Sequence, residues 1–251
     1  MSGASELRLL PVSGLPEIEQ GAKLGELIVA RAELRDGDVV VISQKIVSKA
    51  EGRIRRLASV IPGAKARNLA AELGKDPAMV ELILAESKEI LRAERGVLIA
   101  ETQHGFVCAN AGIDSSNLPE VGTVCLLPED PDASARRIRA EIRAAAGVAP
   151  AVIVADSFGR AWRLGQAEVA IGCAGLTPLD DWRGREDASG RELEATVIAV
   201  ADEAAAAADL VRSKSSRVPV AVVRGLDRFV TSEDGPGAAA LRRPQDEDLF
   251  R

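Results

Sequence analysis

The chain has 251 residues, 47% of them apolar, enough to bury a core in one large domain or two small ones without disulfide or metal staples. Thirty-two Lys and Arg against 38 Asp and Glu leave a net charge of −6, so no global field draws the protein to nucleic acid or an anionic membrane, and any phosphate must be held by a local site. One histidine, no tyrosine, two Trp, four Phe and three cysteines without CxxC spacing (Cys108, Cys125, Cys173) argue against a multi-histidine metal cage, a base-stacking platform and a disulfide framework. With no long apolar run and no signal-peptide plan at the start, a reducing, cytoplasmic setting is expected.

In chain order, residues 7–12 read as a strand closed by the turn Ser13-Gly14-Leu15-Pro16. A helix face (Leu24, Leu27, Ile28, Ala30) is expected within 17–34, then a buried strand at Val39-Val40-Val41-Ile42. Residues 43–52 form a donor-rich polar stretch just beyond that strand, where α/β sheets commonly bind ligands. Residues 62–94 read as two helices, divided at Gly74, with Asp76-Pro77 starting the second and Leu82, Ile83, Ser87, Ile90 and Leu91 keeping helical spacing. A hairpin (96–100, 106–109) turns at Gln103-His104-Gly105, where His104 is expected to cap the turn, and leads into the polar loop 110–117. A strand at 124–127 precedes a helix at 133–146, whose Arg136, Arg137, Arg139 and Arg143 suggest a solvated face.

Ala151-Val152-Ile153-Val154-Ala155 is apolar at every position, as a strand buried on both faces would be, and ends at Asp156-Ser157. A basic glycine-containing loop (159–166), small residues (167–175), a polar stretch (180–194), an alanine-rich helix ending near Val211 and a last strand (218–223) follow. From Arg228 charge, Gly and Pro predict a frayed tail. The organisation expected is mixed sheets and helices in two interconnected lobes over 1–227, with a flexible tail over 228–251.

The chemistry must come from carboxylates, hydroxyls, lysines and amides. Asp156-Ser157 offers hard oxygen ligands at the end of a rigid strand, as Mg²⁺ or Mn²⁺ requires. Asp114 offers a second carboxylate on a second loop, beside Asn117. Together they suit a divalent-cation site for phosphoryl transfer, with Lys45, Lys49, Arg160 and Arg163 as sources of positive charge. Ordinary turn and cap chemistry would explain the same aspartates. No GxxxxGK[ST] or GxGxxG element is present, so a nucleotide would need another cradle. The cysteines read as packing residues.

A set of motifs then occurs in order: Val12-Ser13-Gly14-Leu15-Pro16, Gly37-Asp38-Val39-Val40-Val41, Lys45-Ile46-Val47-Ser48-Lys49-Ala50-Glu51-Gly52, Asn110-Ala111-Gly112-Ile113-Asp114-Ser115-Ser116-Asn117, Asp156-Ser157-Phe158-Gly159-Arg160, Gly190-Arg191-Glu192-Leu193, Val200-Ala201-Asp202-Glu203 and Val222-Val223-Arg224-Gly225. In these the chain resembles the coenzyme F-420 gamma-glutamyl ligases over about residues 7–226, in their stand-alone form. The resemblance implies an uncommon α+β fold and a homodimer. It implies a GTP-dependent ligase that adds L-glutamate to a deazaflavin precursor through an acyl phosphate, with Mg²⁺ or Mn²⁺ and K⁺ as a helper ion.

Carried across by motif, Asp114, Asp156 and Ser157 correspond to metal ligands, and Lys49, Asp114 and Asp156 to the catalytic set. Leu15, Pro16, Glu17, Ile18, Ser43, Gln44, Lys49 and Asn117 correspond to GTP contacts. Gln44 departs from the small hydroxyl residue of the pattern, Ser157 stands where relatives often carry threonine, and Arg212-Ser213-Lys214-Ser215-Ser216-Arg217 offers no carboxylate where a further metal segment should fall. A metal-dependent phosphotransferase or phosphatase acting on another small molecule, and a non-catalytic GTP-binding protein, remain alternatives.

Overall fold

Val39-Val40-Val41-Ile42 lies at the centre of a five-stranded sheet in the computed structural model, which describes residues 6–118, 120–213 and 215–249. In chain order the elements are β1 (Arg8–Val12), α1 (Leu24–Val29), β2 (Val39–Ser43), α2 (Gln44–Ala50), β3 (Ile54–Arg56), α3 (Ala64–Leu73), α4 (Pro77–Ala85), β4 (Ser87–Glu94), β5 (Val97–Thr102), β6 (Val107–Ala109), β7 (Thr123–Cys125), α5 (Pro131–Ala146), β8 (Ala151–Arg160), β9 (Arg163–Ala174), β10 (Asp180–Asp181), β11 (Val197–Ile198), α6 (Val200–Asp209) and β12 (Val220–Arg224). The central sheet runs β1-β12-β2-β8-β9, with β2 and β8 parallel and the other neighbours antiparallel.

Alternation along the strands explains why both β2 and β8 are apolar throughout. Val40, Ile42, Val152 and Val154 face α1 and α5, meeting Ile28, Ile138 and Ile142. Val39, Val41, Ile153 and Ala155 face the other way, onto Ala201, Ala205 and Ala208 of α6. A second lobe packs α3 and α4 on the sheet β4-β5-β6 and the ribbon β3-β7, around Ala70, Val80, Ile83, Leu98 and Val124. The mixture of helices and sheets is the α+β fold expected. Buried Arg53 ties the lobes, its Nε donating to the Leu127 carbonyl at 2.8 Å and a terminal nitrogen meeting Glu86 at 2.7 Å.

Several local expectations are corrected. Only Leu24–Val29 of residues 17–34 is helical, because the chain before it runs irregularly and is tied down where the Gly21 N–H donates to the Ala50 carbonyl. The polar stretch 43–52 is the helix α2, which buries Ile46, Val47 and Ala50. Ser87, Ile90 and Leu91 belong to strand β4 rather than to a helix; two register shifts against β5 break its period of two and leave a helix-like apolar spacing. Strand β8 does not stop at Ala155 but carries Asp156 and Ser157 within it as far as Arg160.

On α5, Arg139 is buried rather than solvated. Its guanidinium reaches the Pro150 carbonyl (3.0 Å), the Thr231 carbonyl (2.6 Å) and Asp234 (2.9 Å). That grip also holds part of the expected tail: Phe229 and Ala238 are buried, and the Ala238 N–H donates to Asp132 at 2.7 Å. Gly, Pro and charge suggested fraying, but charges on α5 satisfy the backbone of this segment. Lys214 and Phe250 lie outside the described residues. Among the described residues no helix is long and apolar enough to cross a membrane.

Candidate active site

The site arises from a mismatch in strand length. The parallel pairing of β2 with β8 ends at Ser43 opposite Ala155, while β8 runs on, so from Asp156 its edge lacks that neighbour and opens onto a cavity of about 940 Å³. A further register shift, in the pairing with β9 between Val154 and Ala155, re-aims the strand just before Asp156. The walls come from Leu15, Pro16, Glu17 and Ile18 on one side, from Ser43, Gln44, Lys45 and Lys49 at the start of α2, from the loop carrying Asp114 and Asn117, and from the segment after α6. Every residue carried across by motif lines this one cavity. Arg160 and Arg163 do not; Arg160 instead donates to the Leu164 carbonyl at the tip of the β8–β9 hairpin.

Because α2 is a helix, Lys45 and Lys49 sit one turn apart and share a face. Lys45 Nζ donates to Asp114 at 2.6 Å and to the carbonyl and hydroxyl oxygens of Ser116 at 2.7 and 2.8 Å, while Lys49 pairs with Glu17. Gln44, fully buried, accepts from the Ser48 hydroxyl at 2.9 Å. Asp114 is also met by the N–H and hydroxyl of Ser116, each at 2.7 Å. Burial alone would raise its pKa, but Lys45 and Ser116 outweigh that and hold it below the ordinary value. The loop is shaped by three successive left-handed residues, Asn110, Ala111 and Gly112, two of them without glycine's freedom. Gly112 also admits the Leu127 side chain, which a Cβ would meet at 2.7 Å.

Asp156 contrasts with Asp114. Burial pushes its pKa up to about 7, the charges of Glu168 and Asp114 add to the rise, and the Ser157 N–H and Lys45 oppose it. Among the described residues no side chain donates a hydrogen bond to it. Its neighbour Ser157 lines the same cavity; its hydroxyl donates to Glu168 at 2.5 Å, and Glu168 in turn meets Arg212 at 3.1 Å.

Sequence reasoning missed Glu168, placed in a run of small residues, and Asp209, at the end of an alanine-rich helix; both line the cavity. Only the pairing of Ser157 opposite Glu168 reveals the former. His104 stays at its hairpin turn, stacked on Phe106 and within 2.8 Å of the Pro128 carbonyl. The buried thiols pack; Cys108, beside the cavity, is pushed up to about 12 by burial and the Asp156 charge, which keeps its thiol protonated at neutral pH.

Among the described residues no three His, Cys, Asp or Glu converge into a metal cluster. Two carboxylates and a hydroxyl, one carboxylate lacking a cationic partner, nevertheless suit a hard divalent cation that draws its remaining ligands from phosphate oxygens and water.

A family model described as F420-0:Gamma-glutamyl ligase matches residues 14–225. The coenzyme F420:L-glutamate ligase of Methanothermobacter thermautotrophicus is 44% identical over 251 residues, 98% of this chain and 99% of the relative. Those of Haloarcula marismortui (46% identical, 98% and 96% covered) and Methanopyrus kandleri (43%, 100% of both) are similar over the same extent.

Proposed function

The chain belongs to the F420-0:gamma-glutamyl ligase family, a family of ligases, and on that premise we propose that it joins L-glutamate to the coenzyme F-420 precursor at the expense of GTP. The observation that carries this reading is the cavity itself: it gathers lysines from one helix face, a carboxylate from each of two separate segments and a hydroxyl, with no P-loop, which is an inventory for moving a phosphoryl group rather than for hydrolysis by a nucleophilic side chain.

In the reaction, the terminal carboxylate of the precursor attacks the γ-phosphorus of GTP; the bond to the β-phosphate oxygen breaks and GDP leaves. The glutamate amine then attacks the acyl phosphate, and phosphate departs as the amide forms. Activation to the mixed anhydride splits one unfavourable condensation into two accessible steps. Lys49 steadies the nucleotide phosphates, and Lys45, bonded to Asp114, fixes the loop opposite β8. Asp114, Asp156 and Ser157 would hold Mg²⁺ or Mn²⁺, which supplies neutralisation of phosphate charge. Leu15, Pro16, Glu17, Ile18, Ser43, Gln44 and Asn117 form the rest of the nucleotide cradle. The protein works as a homodimer, a reading supported by Trp162 and Leu164, exposed at the β8–β9 tip.

Mass spectrometry of the precursor incubated with GTP, glutamate and Mn²⁺ tests the reaction. A product heavier by one glutamyl residue, formed with GDP and phosphate in equal amount, is expected. Phosphate release without amide would indicate a phosphatase, and GTP binding without turnover a non-catalytic protein.

A further inference from the structure

Arg212 and Glu168 form the most deeply buried ion pair bordering the cavity, with side chains 5% and 7% exposed. The guanidinium is held from several directions: 3.1 Å from Glu168, 3.9 Å from Asp209 and 3.3 Å from the Pro219 carbonyl, the same carbonyl that accepts the Ser43 N–H. Among the described residues its Nε is buried with no partner. A buried pair that leaves a donor unmet is a poor device for stability, since apolar residues of similar volume commonly hold a fold as well or better. The pair therefore calls for another explanation, and Glu168 points to one: it stands opposite Ser157 across the β8–β9 ladder and accepts the Ser157 hydroxyl proton at 2.5 Å.

A hydroxyl carries one proton and two lone pairs. With the proton committed to Glu168, the Ser157 oxygen meets its other partners as an acceptor, the form in which a hard cation takes it. We propose that Glu168, clamped by Arg212, is the positioning residue for Ser157, presenting that hydroxyl as an oxygen ligand to the divalent cation of the cavity. The proposal rests on the reading of Ser157 as a cation ligand given above. Without Glu168 the hydroxyl could rotate and donate into the site; without Arg212 the Glu168 carboxylate would lose the group that fixes its orientation. Partners of this kind, one shell out from a metal, commonly change metal affinity by about 10–100-fold when removed.

The test uses the full chain, Mn²⁺ alone with neither nucleotide nor precursor, the free ion followed by electron paramagnetic resonance, and thermal unfolding of the metal-free protein. The paired change Glu168→Leu with Arg212→Leu is expected to weaken Mn²⁺ binding about tenfold or more while the metal-free Tm holds or rises. Ser157→Ala should weaken binding by a similar factor, Ser157→Thr should restore it, and adding the paired change to Ser157→Ala should cost nothing further. Should the leucine pair fail to fold, Glu168→Met, which keeps the length but removes the acceptor, is read the same way. If the pair or Glu168→Met leaves Mn²⁺ affinity intact while Ser157→Ala weakens it, Glu168 and Arg212 are structural and the proposal falls, although Ser157 remains a ligand. If Ser157→Ala itself changes nothing, the ligand reading of Ser157 falls and takes the proposal with it.

Discussion

Asp114 and Asp156 line one cavity, yet their surroundings treat the same side chain in opposite ways. Asp114 sits on a loop, its side chain 41% exposed, and receives hydrogen bonds from Lys45 and from Ser116. Asp156 sits on a strand of the central sheet with no side-chain donor among the described residues, close enough to Asp114 and Glu168 to feel their charge. The loop satisfies its carboxylate within the protein, whereas the strand holds one rigidly in a place where its charge is disfavoured. A carboxylate kept in that state is a ready partner for an incoming cation, because binding removes an existing repulsion as well as adding a bond.

Breaking the strand side should have the largest effect. Asp156→Asn is expected to lower ligation by about 10³-fold, since it removes a charge aimed at the phosphoryl transfer. Its effect on stability should have the opposite sign. An unfolded aspartate titrates near about 4 and folded Asp156 near about 7. Across that window the folded protein binds the extra proton, so the contribution of Asp156 to stability falls as pH rises. At pH 8, denaturant unfolding of metal-free Asp156→Asn should therefore report a gain of about 2–3 kcal/mol over the parent, disappearing near pH 4. A loss of stability at pH 8 would mean that Asp156 is an ordinary structural residue.

Asp114→Asn should also lower ligation steeply, but without the stability gain. Its folded pKa is depressed, so its contribution is present above the unfolded value and lost as pH falls through the folded one. The variant should be less stable by about 1 kcal/mol at neutral pH, a modest figure because the pair with Lys45 is partly solvated, and should converge with the parent in acid. In the Asp114→Asn background the gain from Asp156→Asn should shrink, because one source of repulsion has gone and Lys45 has been released. The activity losses should not add, since the two residues act as a unit.

Smaller effects lie away from the two aspartates. Lys49→Ala should weaken GTP binding about tenfold by calorimetry without unfolding the chain, since among the described residues Lys49 pairs only with Glu17. Unchanged affinity would remove Lys49 from the nucleotide site. Light scattering at micromolar concentration should report about twice 26.4 kDa, and Leu164→Asp at the exposed tip should shift the population toward monomer with little change in the fold. A monomeric, fully active parent protein would overturn the dimer.

The alternation of the buried strands, the start of α4 at Asp76 and Pro77, and the ordered motifs around Asp114 and Asp156 were legible in the chain itself. Each depends on residues near one another in sequence: β-branched runs, a cap bonded to the next turn, loop chemistry within eight positions. The helix α2 was missed because its charged face read as a polar loop, and β4 because its register shifts mimic helical spacing.

The family, the central strands and the residue types that carry the chemistry are thus written along the chain. That β8 outruns β2 and so opens the cavity, that Glu168 stands across from Ser157, that Arg212 joins it from after α6, and that Arg139 and Asp132 hold the C-terminal segment on α5 emerge only in three dimensions. The physical reason is the same in each case. Strand register and the partners of buried charges are settled by pairing between segments 11 to more than 100 residues apart, and a composition or a local period carries no record of which distant group will arrive.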